Sequence, residues 1–463
     1  MDDRAAAPFP SRTARIAPEA VRAYDVRGVV DRHFGEAEAQ ALGRSYAQAA
    51  RELGLVRIGV ARDGRTSSPR LERALVAGLV EGGMEVERVG LGPTPMLAFA
   101  VHARGLDGGV MVTASHNPAE ENGFKLMMGG ERVHGSALKA LVAKPGREAP
   151  GGRACEAEVM PAYVAALLEA AAAVRPLKVA WDCGNGSTGP AVQRLVARLP
   201  GEHRVIHAEV DGRFPNHHPD PAVEANLADL AELVVREGCD LGLAFDGDGD
   251  RIGVVDAKGR TVWADQLLLF LAQDLLAGRP GATVVADVKC SRVVFDGVAR
   301  AGGRAEMAPS GYVLVREAMR RHGAALAGEL SGHVFFGADW NGVDDALYAA
   351  VRVLVAVSQG RDLTAFRDGL PPAFSTPELR LPCPEPRKAA VVAAVAARLN
   401  GAGAEVDPAL GLRIDTADGW WLLRASGTEA KLTCRCEADS PEGLERVRAE
   451  LAGHLAACGM TLS

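Results

Sequence analysis

Several things are scarce in this 463-residue chain, and each scarcity removes a class of protein. Aromatic residues make up only 5%, while Ala, Val and Gly are abundant, a balance that suits α/β layering. Eight cysteines lie at 155, 183, 239, 290, 383, 434, 436 and 458, and no pair has the CxxC spacing of a zinc site or a redox dithiol. A reduced, cytoplasmic setting is therefore expected. Long apolar runs are missing too: AYVAALLEAAAAV (162–174) is short and carries a Glu, so no membrane span is expected. The opening MDDRAAAPFPSRTARI has no apolar stretch after its charges and does not resemble a secretory signal. Excess positive charge is absent, since the net charge is -7, which argues against nucleic acid as a partner. An anionic substrate would have to be met by local arginines.

What is present is a length for two to four domains, at about 100–200 residues each. Helical patterns such as EAEAQALGRSYAQAAREL alternate with Val-rich strands such as VRIGVARD and GGVMVTAS, the signature of βαβ units on a mostly parallel sheet. The stretches 144–158 and 369–388, rich in Gly and Pro, interrupt this alternation and are expected to be linkers. The tail differs: WWLLRAS and KLTCRCEA predict two strands around a turn, followed by a helix opening at Ser440 and Pro441. The expected organisation is three related α/β domains with mixed sheets (1–153, 154–256 and 257–369) and a small C-terminal α+β domain (370–463).

Four segments carry chemistry. In FDGDGDRIG (245–253), Asp246, Asp248 and Asp250 alternate with glycines that let the backbone turn and aim three carboxylates at one hard cation. An EF-hand calcium loop needs Gly at its sixth position and Glu at its twelfth, where this chain has Arg251 and Ala257. In VTASHNPAEENGFKL (112–126), Ser115 ends a strand, with Lys125 ten residues on; no GxSxG elbow surrounds it, so hydrolase chemistry of that type is not supported. In RASGTEAK (424–431), Ser426, Gly427 and Thr428 beside Arg424 form a set of donors suited to a phosphate dianion, although a plain β-turn capped by Ser and Thr is the competing reading. GELSGHVFF (328–336) offers Glu329, Ser331 and His333 for sugar hydroxyls. One motif points elsewhere. Gly184 to Gly189 spells GxGxxG between a strand and a helix, with Glu209 20 residues beyond, which is the fingerprint of a nicotinamide-dependent oxidoreductase. The charge of Asp182 beside the first glycine would repel a pyrophosphate.

Together with RAYDVRGVV (22–30), DGRFPNHHPDPAVEANL (211–227) and DVKCSR (287–292), these segments resemble the α-D-phosphohexomutase superfamily, most closely its bacterial phosphomannomutase/phosphoglucomutase branch. The resemblance implies four domains around a central cleft and interconversion of hexose 1-phosphates and 6-phosphates through a 1,6-bisphosphate. It makes Ser115 a phosphoserine that completes a single Mg2+ site with Asp246, Asp248 and Asp250. It also implies catalytic roles for His116, Lys125, Arg27 and Arg251. Substrate contacts are implied for Tyr24, Lys289, Tyr312, Glu329, Leu330, Ser331, Gly332 and His333, and for Arg424, Ala425, Ser426, Gly427 and Thr428 around the phosphate that does not react. Departures from the branch pattern are Tyr312 where His is frequent, Gly427 where Asn is common and Ala430 where Pro is common. Leu330 stands where phosphoglucosamine mutases, the alternative within the superfamily, carry Gln, and so favours neutral hexoses. The implied partners are hexose phosphates, with a monomer or weak dimer as the assembly.

Overall fold

The structure, a computed structural model, describes residues 14–400, 410–426 and 430–462. It divides into two compact units, Met1–Thr261 with Val343–Arg361, and Val262–Gly342 with Asp362–Ser463.

The first unit holds two sheets. One orders the strands Val26–Val29, Glu121–Met128, Gly108–Val112, Arg57–Arg62, Glu85–Leu91 and Arg153–Glu156. Its central strands run parallel, whereas Glu121–Met128 returns antiparallel to Gly108–Val112. The other orders Ile252–Asp256, Leu241–Phe245, Leu177–Asp182 and Gly201–Ile206, again with one antiparallel return, Ile252–Asp256. Gly108–Val112 and Leu241–Phe245 are buried along their whole length, which explains why they read as continuous apolar runs rather than alternating ones. The helix Ala346–Ser358, which closes this unit, is capped by the Asp345 carboxylate accepting from the N–H groups of Leu347 and Tyr348.

The second unit begins with a sheet ordered Arg304–Ala308, Thr283–Asp287, Leu326–Gly328 and Val334–Phe336, parallel except for the last pair. Three sheets thus share one order: two parallel neighbours, a third parallel strand, then an antiparallel return. In each, the loop before the return strand is one of the motifs, 113–120, 246–251 or 329–333. Each motif therefore occupies the carboxyl end of a buried strand, where a rigid scaffold presents loop side chains.

The last sheet is antiparallel throughout, with Lys431–Ala438 at its centre against Gly419–Ala425, followed by Leu412–Asp415. Its apolar face is covered by the helices Glu385–Asn400 and Pro441–Ala456, with Val395, Leu423, Val447, Leu451 and Leu455 in the shared core. The Ser440 hydroxyl caps the final helix, and Pro441 opens it.

Both expected linkers contain strands. Residues 153–156 pair in parallel with the edge strand Glu85–Leu91, and all four are exposed, so no apolar pattern announced them. Within 369–388, Phe374–Ser375 and Leu379–Pro382 pair with Lys431–Ala438 at the sheet margin, where proline costs no ladder hydrogen bond.

Candidate active site

Ser115 is 1% exposed and has φ 53°, a left-handed conformation that serine rarely adopts and that its surroundings must hold. Arg65 does much of that holding. Its guanidinium is fully buried and donates to the carbonyls of Ser115 (2.8 Å), Asn117 (2.7 Å), Pro118 (2.5 Å) and Glu121 (2.9 Å), tying down the whole turn. Asp63 pairs with Arg65 Nε at 3.1 Å and accepts from Thr113 Oγ1, which in turn accepts the N–H of Ser115. Neither Arg65 nor Asp63 stood out in the sequence; a buried arginine is legible only once its partners are assembled in space.

The Ser115 hydroxyl donates to Asp246 Oδ2 at 2.7 Å. Asp246, Asp248 and Asp250 are 0%, 0% and 1% exposed, and their carboxylates converge within 4.8 Å of one another. The turn that aims them is locally satisfied: Asp246 Oδ1 accepts the N–H groups of Gly249, Asp250 and Arg251 at 2.9–3.1 Å. Thr94, at the start of the helix Thr94–Ala103, donates its hydroxyl to Asp248 Oδ2 and its N–H to the Asp248 carbonyl. Lys125 Nζ reaches Asp248 Oδ2 at 2.7 Å and also pairs with Asp250. Burial, reinforced by the charges of Asp248 and Asp250, pushes the Asp246 carboxyl well above the usual range. Asp248 Oδ1 is buried with no hydrogen-bond partner. Crowded buried carboxylates with an unpartnered oxygen fit a hard divalent cation held by oxygen ligands.

Around this centre, His116 Nδ1 lies 3.1 Å from Ser115 Oγ. Burial, with Arg251 and Arg27 nearby, holds the imidazole well below its ordinary range, so it is neutral at pH 7. Arg27 pairs with Asp25 and donates to Asn117 Oδ1 at 2.8 Å, beside the serine turn. Arg251 Nε is buried with no hydrogen-bond partner. Tyr24 rests against the ring of His134 at 6.3 Å between centroids.

The GxGxxG segment is a buttress. Its amides are engaged: Gly184 N–H to Asp182 Oδ1, Asn185 to the His207 carbonyl, Gly186 to Cys183 and Ser187 to Gly247. Amides that would cradle a pyrophosphate are spent on the protein itself, which corrects the dinucleotide alternative.

In the second unit, Glu329 (4% exposed) accepts from the Gly311 N–H at 2.7 Å and pairs with His333 Nδ1 at 2.9 Å. Burial opposes its charge, but His333, Lys289 and that N–H prevail and lower its pKa to about 2. Ser331 Oγ lies 3.1 Å from His333 Nδ1, and Gly332 makes the turn at φ 100°. Tyr312, at the start of its helix, faces His333 with centroids 5.5 Å apart, so the tyrosine joins this loop. Leu330 is half-buried.

Lys289 sits 3.4 Å from Glu378, with its backbone turn held by the last sheet. Arg413 donates to the carbonyls of Val288 and Cys290, Arg435 to that of Lys289, and Glu437 Oε1 accepts from Ser291 Oγ, the Arg292 N–H and the Trp420 indole. These supporting residues were not singled out from sequence either. Arg424 and Ala425 end the strand Gly419–Ala425, and the Ser426 carbonyl accepts from Lys388 Nζ at 2.6 Å. Gly427 and Thr428 lie outside the described residues.

Family models for phosphoglucomutase/phosphomannomutase match in chain order: alpha/beta/alpha domains I, II and III over residues 18–145, 161–259 and 263–374, and the C-terminal domain over 378–454. A phosphomannomutase/phosphoglucomutase of Pseudomonas aeruginosa is 39% identical over 445 residues, covering 95% of this chain and 96% of that one. The chain belongs to the phosphoglucomutase/phosphomannomutase family. A phosphoglucomutase of Neisseria gonorrhoeae is 40% identical over 94% of this chain and 96% of its own. Among solved structures, a phosphoglucomutase/phosphomannomutase family protein from Burkholderia thailandensis superposes with a TM-score of 0.88 at 36% identity, covering 96% of this chain and 98% of that one. As a family member the chain is an enzyme, a phosphosugar mutase. Among its described residues no helix is long and apolar enough to cross a membrane.

Proposed function

We propose that this mutase interconverts the 1-phosphates and 6-phosphates of glucose and mannose, with Ser115 carrying the phosphoryl group. One observation supports the reading above others: a buried, conformationally constrained hydroxyl 2.7 Å from the first of three converging buried aspartates. On this reading residues 1–153 carry the phosphoserine loop, 154–256 the metal loop, 257–369 the sugar loop and 370–463 the phosphate loop.

Asp246, Asp248 and Asp250, with the phosphate on Ser115, would hold one Mg2+. When bound, the ion neutralises charge on the transferring phosphoryl group. In the first transfer the bond from Ser115 Oγ to phosphorus breaks and one to the free hydroxyl of a hexose 1-phosphate forms; the hydroxyl's proton ends on Ser115 Oγ. His116, neutral and 3.1 Å from that oxygen, and Lys125 are the groups that handle it. The resulting 1,6-bisphosphate turns over without leaving the enzyme, and Ser115 takes back the other phosphoryl group. Phosphate monoesters demand accelerations up to about 10²¹, whereas a general base supplies about 10²–10⁴. In-line placement and the cationic groups Arg27 and Arg251 must therefore contribute much of the rest.

On the same reading Tyr24 contacts the substrate, Lys289, Tyr312 and the 329–333 loop recognise sugar hydroxyls, and Arg424 to Thr428 grip the phosphate that does not react. Leu330 offers no polar group for an amino substituent, in keeping with neutral hexoses. The test is Ser115→Ala assayed on glucose 1-phosphate and mannose 1-phosphate with bisphosphate present. Conversion of both should vanish, together with a gain of about 80 Da on the peptide containing residue 115; a fully active variant would remove the phosphoserine from the scheme.

A further inference from the structure

Outside the aspartate triad, the first unit gathers a second set of ligand-type side chains. The carboxylate of Asp182 and the rings of His207 and His217 bring ligand atoms within 4.8 Å of one another. Asp182 ends the strand Leu177–Asp182 and is fully buried, with its Oδ2 2.9 Å from His217 Nε2. His207, directly after the strand Gly201–Ile206, presents Nε2 to Asp229 Oδ2 at 3.0 Å, and Asp229 lies in the first turn of the helix Ala228–Glu237. The two imidazoles meet edge to face with centroids 5.3 Å apart. His207 holds φ 51°, a conformation a histidine rarely takes, and the Asn185 N–H fixes it through the His207 carbonyl.

The two imidazoles and the Asp182 carboxylate converge, and Asp229, against His207 Nε2, is the carboxylate that a side-chain shift would bring in as a fourth ligand; the four, from separate segments, have the composition of a tetrahedral zinc site. Ligand-to-ligand spacings in such a site are about 3.3 Å, given metal–ligand bonds of about 2.0–2.1 Å. The two His–Asp pairs stand at 2.9 and 3.0 Å, and the ligand atoms of Asp182, His207 and His217 lie within 4.8 Å of one another, so an ion would enter on rearrangement of these side chains, with Asp229 moving in alongside His207. We propose that Asp182, His207, His217 and Asp229 bind a transition-metal ion of the zinc type, separate from the aspartate triad. The ion would clamp the 184–189 turn, whose Ser187 N–H supports the Gly247 carbonyl, and so stiffen the aspartate loop from below without entering it.

Co2+, which substitutes for zinc and absorbs visibly when tetrahedral, tests this on the full chain stripped of metal and then saturated with Mg2+ to fill the triad. One equivalent should give intense visible bands and raise Tm. His207→Ala and Asp229→Ala, both at the accessible rim of the set, should abolish the bands, whereas Asp246→Asn should keep them. Bands that survive both rim substitutions, bands lost only with Asp246→Asn, or no bands at all would overturn the assignment. A cooperative thermal melt, measured in parallel, shows that each variant is folded.

Discussion

A Cβ on Gly247 would stand 2.4 Å from the carbonyl oxygen of Ser115, so the serine turn and the aspartate turn meet backbone to backbone. Any side chain there must shift one turn against the other. Gly247→Ala is expected to cost about 1–3 kcal/mol of stability, as overpacked sites do, and to weaken Mg2+ binding. Urea unfolding and Mg2+ titration of purified protein check both.

Arg65 and Asp63 form a buried pair whose loss leaves one charge stranded. Arg65→Met should destabilise by about 3–5 kcal/mol. Adding Asp63→Asn should recover part of it, because the uncompensated carboxylate is gone. A double-mutant cycle in urea measures the coupling; an Arg65→Met variant as stable as the parent would mean that the turn is held by other contacts.

Asp246 has a raised folded pKa, so between its unfolded value and that raised value the native protein holds a proton the unfolded chain has lost. Stability of the metal-free protein should then fall as pH rises through this window. Because Mg2+ competes with that proton, its stabilising effect should grow with pH over the same range. Thermal melts with EDTA or with Mg2+ from pH 5 to about 8 read both slopes, and the Asp246→Asn protein should show neither.

Glu437 takes three donors, two from the start of the helix Arg292–Arg300 and one from the Trp420 indole of its own sheet, and so supports the turn that bears Lys289. Glu437→Gln should raise KM for hexose 1-phosphate roughly tenfold, the equivalent of about 1.4 kcal/mol, with kcat little changed. Steady-state kinetics separate the two, and an unchanged KM would disconnect this support from sugar binding.

The legible parts of the molecule were those with local signatures. Asp246, Asp248 and Asp250 announce themselves because glycines and charge share one turn, and Ser440–Pro441 because a cap precedes its helix. Arg65, Asp63, Thr94 and Glu437 were silent, since each acts on residues far away in the chain and has no neighbouring pattern to mark it. The exposed strand 153–156 was hidden for the opposite reason: backbone pairing at an edge requires no apolar side chain. GxGxxG has the form of a dinucleotide site, and the charge of Asp182 already argued against it, but only the structure shows that its amides are occupied.

The same strand order, written three times, gives each copy a single tip to specialise while the ribs beneath stay untouched. One tip bears Ser115, the next the acidic trio, and the third the carboxylate–imidazole pair Glu329–His333. On the proposed reading, changes of sugar preference can therefore accumulate between Ser310 and His333 without disturbing the tips that would move phosphorus, so that taste and chemistry are free to drift apart.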